Sequence, residues 1–346
     1  MGGGRFLAIV DPSGSGKSSV VKAGLLPALQ QGALPGSEEW FIVEMTPGSY
    51  PLEELEAALL RVAVNPPPSL LEPLQKDERG LVWVLKRLLP QDRGTENPSQ
   101  LLLIIDQFEE LFTLVNNEAD RSRFLDNLFA ALTDANSRLW VIITLRADFY
   151  DRPLHLPQLG EWMRQRTELV LPLTVGELEQ AITAPAARMG ISCEPGLVSA
   201  IITDVKEQPG ALPLMQYALT ELFEQRNSLP PRSSGGRILT LAAYQEIGGV
   251  TGALARRADE IYQNLDEAGQ EATRQLFLRL ITLGEGIEDT RRRVLMSELQ
   301  TLRVLETLRV LNHAIEMYGR YRLLTFDHDP STRSSTVEVA HEALLR

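Results

Sequence analysis

The first twenty residues constrain this chain most. Phe6-Leu7-Ala8-Ile9-Val10 is an apolar run that empties into Asp11-Pro12-Ser13-Gly14-Ser15-Gly16-Lys17-Ser18-Ser19, a glycine-rich turn ahead of a helical pattern. A strand that stops in such a turn and restarts as a helix presents successive backbone N–H groups at a helix N-terminus, which suits phosphate. In that pattern Ser13, Gly14, Ser15, Gly16 and Ser19 form the cradle. Lys17 is placed for the β- and γ-phosphates, and the Ser18 hydroxyl for Mg²⁺. Asp11 stands where the pattern usually opens with glycine. Aspartate tolerates tight turns better than most residues, but it adds negative charge beside a phosphate.

Composition narrows the partners. The 346 residues are 44% hydrophobic and 23% charged, the balance of a globular protein with room for two or three packed units. Lys and Arg number 34 against 46 Asp and Glu, a formal charge of -12 that opposes a non-specific hold on nucleic acid or anionic lipid. Cys193 is the single cysteine, so no intrachain disulfide forms, as suits a reducing cytoplasm. No apolar run approaches the roughly 20 residues that span a bilayer, and no signal-peptide core follows Met1. The expectation is a cytoplasmic protein with no membrane partner, for which nucleic acid is an unlikely one. The first strand and the last motif lie at the very ends, which suggests a piece of a longer chain.

Up to residue 172, β-rich runs alternate with helical periodicity. Strands are predicted over 6–10, 40–45, 101–105, 139–145 and 168–171, with helices over 17–30, 52–62, 79–89 and 119–133. That alternation predicts an α/β fold, a parallel sheet covered on both faces. From Thr174 strand signals give way to helical ones, and Thr174 with Glu177 forms a capping-box pattern. Helices are expected over 241–247, 252–265, 268–283, 294–300 and 303–312, then strands over 323–326 and 337–340, and a last helix at Glu342. Helices closed by a two-stranded ribbon are the order of a winged helix. The expected domains are a P-loop NTPase domain over 1–172, an all-α helical lid over 173–240 and a winged helix over 241–346.

Two further strand ends bear on chemistry. Leu101-Leu102-Leu103-Ile104-Ile105 ends in Asp106, on a strand expected beside the one that feeds the loop, where a carboxylate holds Mg²⁺. Glu109 or Glu110 could orient or deprotonate water. Taken alone, Asp106 could equally cap a helix and both glutamates could be solvated; the loop roughly 90 residues earlier favours the metal site. Thr144-Leu145-Arg146-Ala147-Asp148 repeats the geometry one strand over. Arg146 is there either a reader of the γ-phosphate or a surface arginine paired with Asp148. Pro213, in Gly210-Ala211-Leu212-Pro213-Leu214, and His341 read from composition as a helix kink and an ordinary histidine.

Together these blocks resemble the STAND class of signal-transduction NTPases, in the bacterial type commonly joined to WD repeats. The likeness runs through the loop with Ala23-Gly24-Leu25-Leu26-Pro27, Ile105-Asp106-Gln107-Phe108-Glu109-Glu110-Leu111-Phe112 and Thr144 to Tyr150. It continues through Gly210 to Leu214, Gly248-Gly249-Val250-Thr251-Gly252-Ala253-Leu254-Ala255, Asp289-Thr290-Arg291-Arg292-Arg293 and Val337 to Leu344. The resemblance implies that ADP holds a closed state and that ATP favours an open, self-associating one. It implies phosphate and magnesium at Gly14, Gly16, Lys17 and Ser18, metal at Asp106 and γ-phosphate sensing by Arg146. It further implies base contact by Pro213 and a β-phosphate contact by His341, with sensor and effector domains on the same longer chain.

The leading expectation is a regulatory ATPase that binds ATP or ADP with Mg²⁺ and hydrolyses slowly. The alternative is a catalytically silent interaction scaffold whose loop Asp11 has disabled. A phosphotransferase would need a substrate pocket where this chain has a helical lid, and net acidity opposes a DNA-binding winged helix.

Overall fold

The computed structural model describes residues 2–63, 68–90, 98–115, 117–206, 211–227, 238–282, 290–300, 305–328, 334–340 and 344. The chain divides into two compact units, Met1–Val170 and Leu171–Arg346.

The first unit is built on strands β1 (Phe6–Asp11), β2 (Phe41–Met45), β3 (Leu101–Ile105), β4 (Leu139–Arg146) and β5 (Thr167–Leu169). All neighbours are parallel, in the order β2-β3-β4-β1-β5. β3 is buried along its whole length, as its unbroken apolar run requires of a strand covered on both faces. On one face Leu102, Ile104, Ile142 and Ile9 pack with Val21, Leu26 and Leu29 from the helix after the loop. On the other, Trp162 lies against Phe6 and Phe129, at 5.6 and 5.4 Å between ring centroids.

One expectation fails here. The strand carrying Asp106 is not beside β1, because β4 is inserted between them. Strand order depends on crossover connections that leave no local signature in the residues.

The helix after the loop starts as α1 (Lys17–Ser19), opens into a π-helical segment (Val20–Leu25) and closes as α2 (Leu26–Gln30). Helices α3 (Pro51–Leu60), α4 (Leu71–Lys76), α5 (Gly80–Leu88), α6 (Glu110–Thr113) and α7 (Glu118–Thr133) follow. Between β4 and β5 stand α8 (Asp151–Leu154) and α9 (Pro157–Gln165), where the sequence pattern predicts none. Arg5 caps the end of α7, its guanidinium donating to the carbonyls of Leu132, Asp134 and Ser137.

Asn127, fully buried on α7, joins three helices. Its Nδ2 donates to the Leu74 carbonyl at 2.9 Å, and its Oδ1 accepts from the Leu81 N–H at 2.7 Å. Asn127→Leu strands both backbone groups, so the unfolding free energy should fall by about 2–4 kcal/mol. Denaturant titration reads this directly, and an unchanged midpoint would show that the bonds carry no net stability.

The second unit opens with α10 (Val175–Arg188), whose capping box between Thr174 and Glu177 is formed. Then come β6 (Ser192–Cys193), α11 (Pro195–Lys206), α12 (Leu212–Asn227) and β7 (Ile238–Leu239), which pairs in parallel with β6. Next are α13 (Leu241–Glu246), α14 (Gly249–Asn264), α15 (Glu267–Arg279), β8 (Ile281–Thr282) and β9 (Thr290–Arg291). The chain continues through β10 (Val294–Leu295), α16 (Met296–Gln300), α17 (Leu305–Arg320), β11 (Leu324–His328) and β12 (Ser335–Val339).

This is a helical domain followed by a winged helix, and the ribbon has three strands rather than two, in the order β10-β12-β11. Val294 and Leu295, expected to open a helix, instead pair with Val337 and Thr336. Two residues are too few for periodicity to separate strand from helix. The short pairs β6–β7 and β8–β9 likewise escape the pattern. In the Gly248-Gly249 block both glycines hold positive φ, 86° and 71°, and the Tyr244 hydroxyl accepts the Val250 N–H at 3.0 Å, so this block starts α14.

Candidate nucleotide site

The loop turns at Gly14 and Gly16, with φ of 73° and 99°, the left-handed region in which glycine alone is unstrained. Asp11 needs no such freedom. It is the last residue of β1, in register with Arg146 at the end of β4, and among the described residues the non-glycine positive φ values fall only on Gln107 and Arg322. What Asp11 brings is therefore charge, not backbone strain.

Lys17, 9% exposed, donates to the carbonyls of Asp11 and Pro12 at 2.8 and 2.7 Å across the base of the loop. Ser13 and Gly14 are partly buried and Ser19 is exposed. The Ser15 hydroxyl is buried in the loop without a hydrogen-bond partner. A buried hydroxyl of that kind costs free energy unless something satisfies it, and phosphate oxygens are acceptors of the right kind. The loop's glycines, cation and orphaned hydroxyl fit a phosphate group.

Asp106, 7% exposed, sits just past β3. Its Oδ1 accepts from Ser18 Oγ at 2.8 Å and from Thr144 Oγ1 at 2.6 Å. Thr144 also accepts the Gln107 N–H on Oγ1 and the Phe108 N–H on its carbonyl, at 3.0 and 2.9 Å, so β4 clamps the turn that carries Asp106. That clamp explains how Asp106 reaches the loop although β4 lies between the two strands. A hydroxyl and a carboxylate are hard oxygen donors that suit Mg²⁺. Among the described residues no group of three or more His, Cys, Asp or Glu forms a metal site of its own. A metal at this pair would complete its shell with phosphate oxygens or water.

The two glutamates differ. Glu110 Oε2 accepts the Gly48 N–H at 2.9 Å, tying α6 to the loop after β2. Glu109 is 7% exposed, and its Oε2 accepts the Arg146 N–H at 3.2 Å. Burial pushes the Glu109 carboxyl up to about 7. Its own N–H and that of Arg146 oppose the rise, and the charge on Glu110 adds to it.

Arg146 is only 4% exposed, so it is no surface arginine, yet it does pair with Asp148. Nε and Nη2 donate to the two carboxylate oxygens at 3.1 and 2.8 Å, and the guanidinium lies 5.5 Å from the Phe149 ring centroid. Pro213 belongs to the second unit, in the first turn of α12, where a proline forfeits no helical hydrogen bond. His341 lies outside the described residues.

Two residues absent from the sequence reading join the group. Lys22 Nζ lies 3.5 Å from Asp106 Oδ2 and 3.0 Å from Glu44 Oε2. The signal for Lys22 was its spacing, four residues after Ser18 on one helix; Glu44 had none.

A parallel sheet with this loop and a buried carboxylate just past a second central strand defines a P-loop NTPase. The family model described as Novel STAND NTPase 1 matches residues 2–346, and the chain belongs to that family of nucleotide-binding NTPases. No curated protein matches the sequence. Among solved structures, the chain is similar to the ORC2 protein of Aeropyrum pernix in ADPNP–ADP complexes, with 14% identity, 98% of this chain and 85% of that one covered, and a TM-score of 0.46. The ORC1 protein of Aeropyrum pernix in complex with DNA gives 15% identity, 98% and 84% coverage and a TM-score of 0.46. Cdc6p from Pyrobaculum aerophilum gives 12%, 98% and 84%, and 0.40. Likenesses this low carry no inference to this chain. Among the described residues no helix is long and apolar enough to cross a membrane.

Proposed function

We propose that the chain is a nucleotide-dependent regulatory switch that binds ATP or ADP and hydrolyses ATP slowly to control a signalling assembly. The observation that carries this reading is Ser18 and Thr144 converging on Asp106 beside a loop whose buried Ser15 hydroxyl lacks a partner. In this reading the backbone from Ser13 to Ser19 cradles the phosphates. Lys17 exchanges the Asp11 and Pro12 carbonyls for phosphate oxygens, and Ser18 and Asp106 hold Mg²⁺. The metal, when bound, neutralises charge on the β- and γ-phosphates.

Of the two glutamates, Glu109 is the better proton acceptor, since burial raises its carboxyl to about 7 while Glu110 is tied to Gly48. A water oxygen bonds to the γ-phosphorus, its proton passes to Glu109, and the bond to the β,γ-bridging oxygen breaks to leave ADP and phosphate. Arg146 exchanges part of its Asp148 pairing for the γ-phosphate, so its contacts differ between ATP and ADP, as a switch requires. The domain scheme of NTPase core, lid and winged helix at 1–172, 173–240 and 241–346 belongs to this reading. So do base contact by Pro213, a β-phosphate contact by His341, and self-association in the ATP state. A WD-repeat sensor and an effector on a longer bacterial chain complete it.

A silent scaffold is the competing reading, favoured by Lys17 being spent on loop carbonyls. Calorimetry with ADP and ATP on the native chain and on Asp11→Gly separates the two. The switch predicts binding by the native chain and a gain of about three- to tenfold in Asp11→Gly, from the removed charge. Binding by Asp11→Gly alone establishes the scaffold.

A further inference from the structure

The helix after the phosphate loop brings a second cation to the carboxylate that Ser18 uses. Asp106 Oδ1 is already shared by two hydroxyl donors, Ser18 and Thr144. Its other oxygen, Oδ2, is the one that Lys22 approaches, at 3.5 Å. The same ammonium sits 3.0 Å from Glu44 Oε2. Glu44 lies one residue before Met45, whose carbonyl accepts the Asp106 N–H at 2.8 Å, so the two carboxylates occupy adjoining strand ends.

The local helix is unusual in the same place. Lys22 falls inside the π-helical segment Val20–Leu25, and such wide turns are rare and concentrate where a side chain must be aimed. Burial works against the Lys22 charge, but its hydrogen bond to Glu44 and the charges of Asp106 and Glu44 outweigh that and hold its pKa above the ordinary lysine value. The Lys22 and Glu44 side chains are 45% and 37% exposed, whereas Asp106 is nearly buried. The lysine can therefore leave Asp106 while keeping Glu44 as a partner.

We propose that Lys22 is an internal counter-cation that competes with the divalent metal for Asp106, so that metal enters the site only as Lys22 withdraws towards Glu44. This rests on reading the loop as a nucleotide site and adds a regulatory element to it. An ammonium at 3.5 Å from a ligand oxygen repels a dication strongly, and the repulsion is partly screened at this half-exposed position. Nucleotide binding and metal binding become separable events: Lys22 supplies the positive charge at Asp106 while no metal is present.

The test is Mn²⁺ binding followed by electron paramagnetic resonance, on the chain with and without ADP, for the native protein, Lys22→Met, Lys22→Gln and Lys22→Arg. Lys22→Met and Lys22→Gln should bind Mn²⁺ about tenfold more tightly, with a gain that shrinks at high salt, and Lys22→Arg should stay near the native value. Unchanged or weaker Mn²⁺ binding in both neutral variants, each verified as folded by circular dichroism, overturns the proposal. Failure of ADP to bind the native chain, with the Mn²⁺ gain still present in its absence, sinks the nucleotide reading and leaves the competition standing.

Discussion

Lys17→Ala is expected to lower ADP and ATP affinity by about 100-fold or more, while the folded state is weakened by about 1 kcal/mol at most. The Lys17 ammonium is nearly buried and bridges the Asp11 and Pro12 carbonyls. Asp11 is the partly buried end of β1 and Pro12 is exposed, so both carbonyls can reach water once the ammonium is gone and folding loses little. A bound polyphosphate has no such recourse. Each charge-assisted hydrogen bond from an ammonium to phosphate is worth about 1.5–3 kcal/mol, and two of them amount to two or more decades in affinity. Lys17→Arg should recover little, because a planar fork does not replace a point charge in a cavity lined by backbone. Isothermal calorimetry with ADP reads the effect, and affinity within threefold of native would mean that the loop does not hold phosphate.

Much of this architecture is written locally in the residues. β3 reads as a central strand because Leu101 to Ile105 is apolar at every position, and it is buried at every position. The start of α10 reads from Thr174 and Glu177, whose reciprocal hydrogen bonds form as the spacing demands. The loop's left-handed turns read from Gly14 and Gly16. What does not read is what depends on which strands become neighbours. The sequence pattern predicts Asp106 beside β1; β4 intervenes, and Thr144 on that inserted strand is what secures the carboxylate. Nothing near Thr144 in the chain announces a partner 38 residues away.

The same holds for Glu44 and Lys22, which meet only because the end of β2 and the π-helical turn close on one carboxylate. At Asp11 the structure changes the question. The loop's opening glycine is dispensable for backbone reasons, since that residue is ordinary strand, and the doubt it raises becomes purely electrostatic. Arg146 joins two readings that looked exclusive: it is paired with Asp148, and it is buried at a strand end beside the loop strand.

Glu109→Gln should reduce ATP turnover by about 100-fold or more while ADP affinity stays within about twofold of native. Glutamine retains the shape and an oxygen that can accept the Arg146 N–H, so the site keeps its geometry, but it cannot take a proton from water. The pH dependence carries two signs from one cause. As a base Glu109 must be ionised, so the native rate should rise with pH through about 7 and level off above it. For stability the direction is opposite. Burial favours the protonated carboxyl, so the folded chain binds a proton that the unfolded chain has released between the ordinary glutamate value and about 7. That contribution is fully present below the unfolded pKa and is lost as pH rises through the folded one, with a total on the order of 3 kcal/mol. Glu109→Gln should therefore be more stable than native at pH 8 and equal to it near pH 4, in thermal unfolding followed at both values. A variant that loses turnover without this pH-dependent gain would place the buried charge elsewhere; one that shows both ties the base that water needs to the burial that makes the native site costly to ionise.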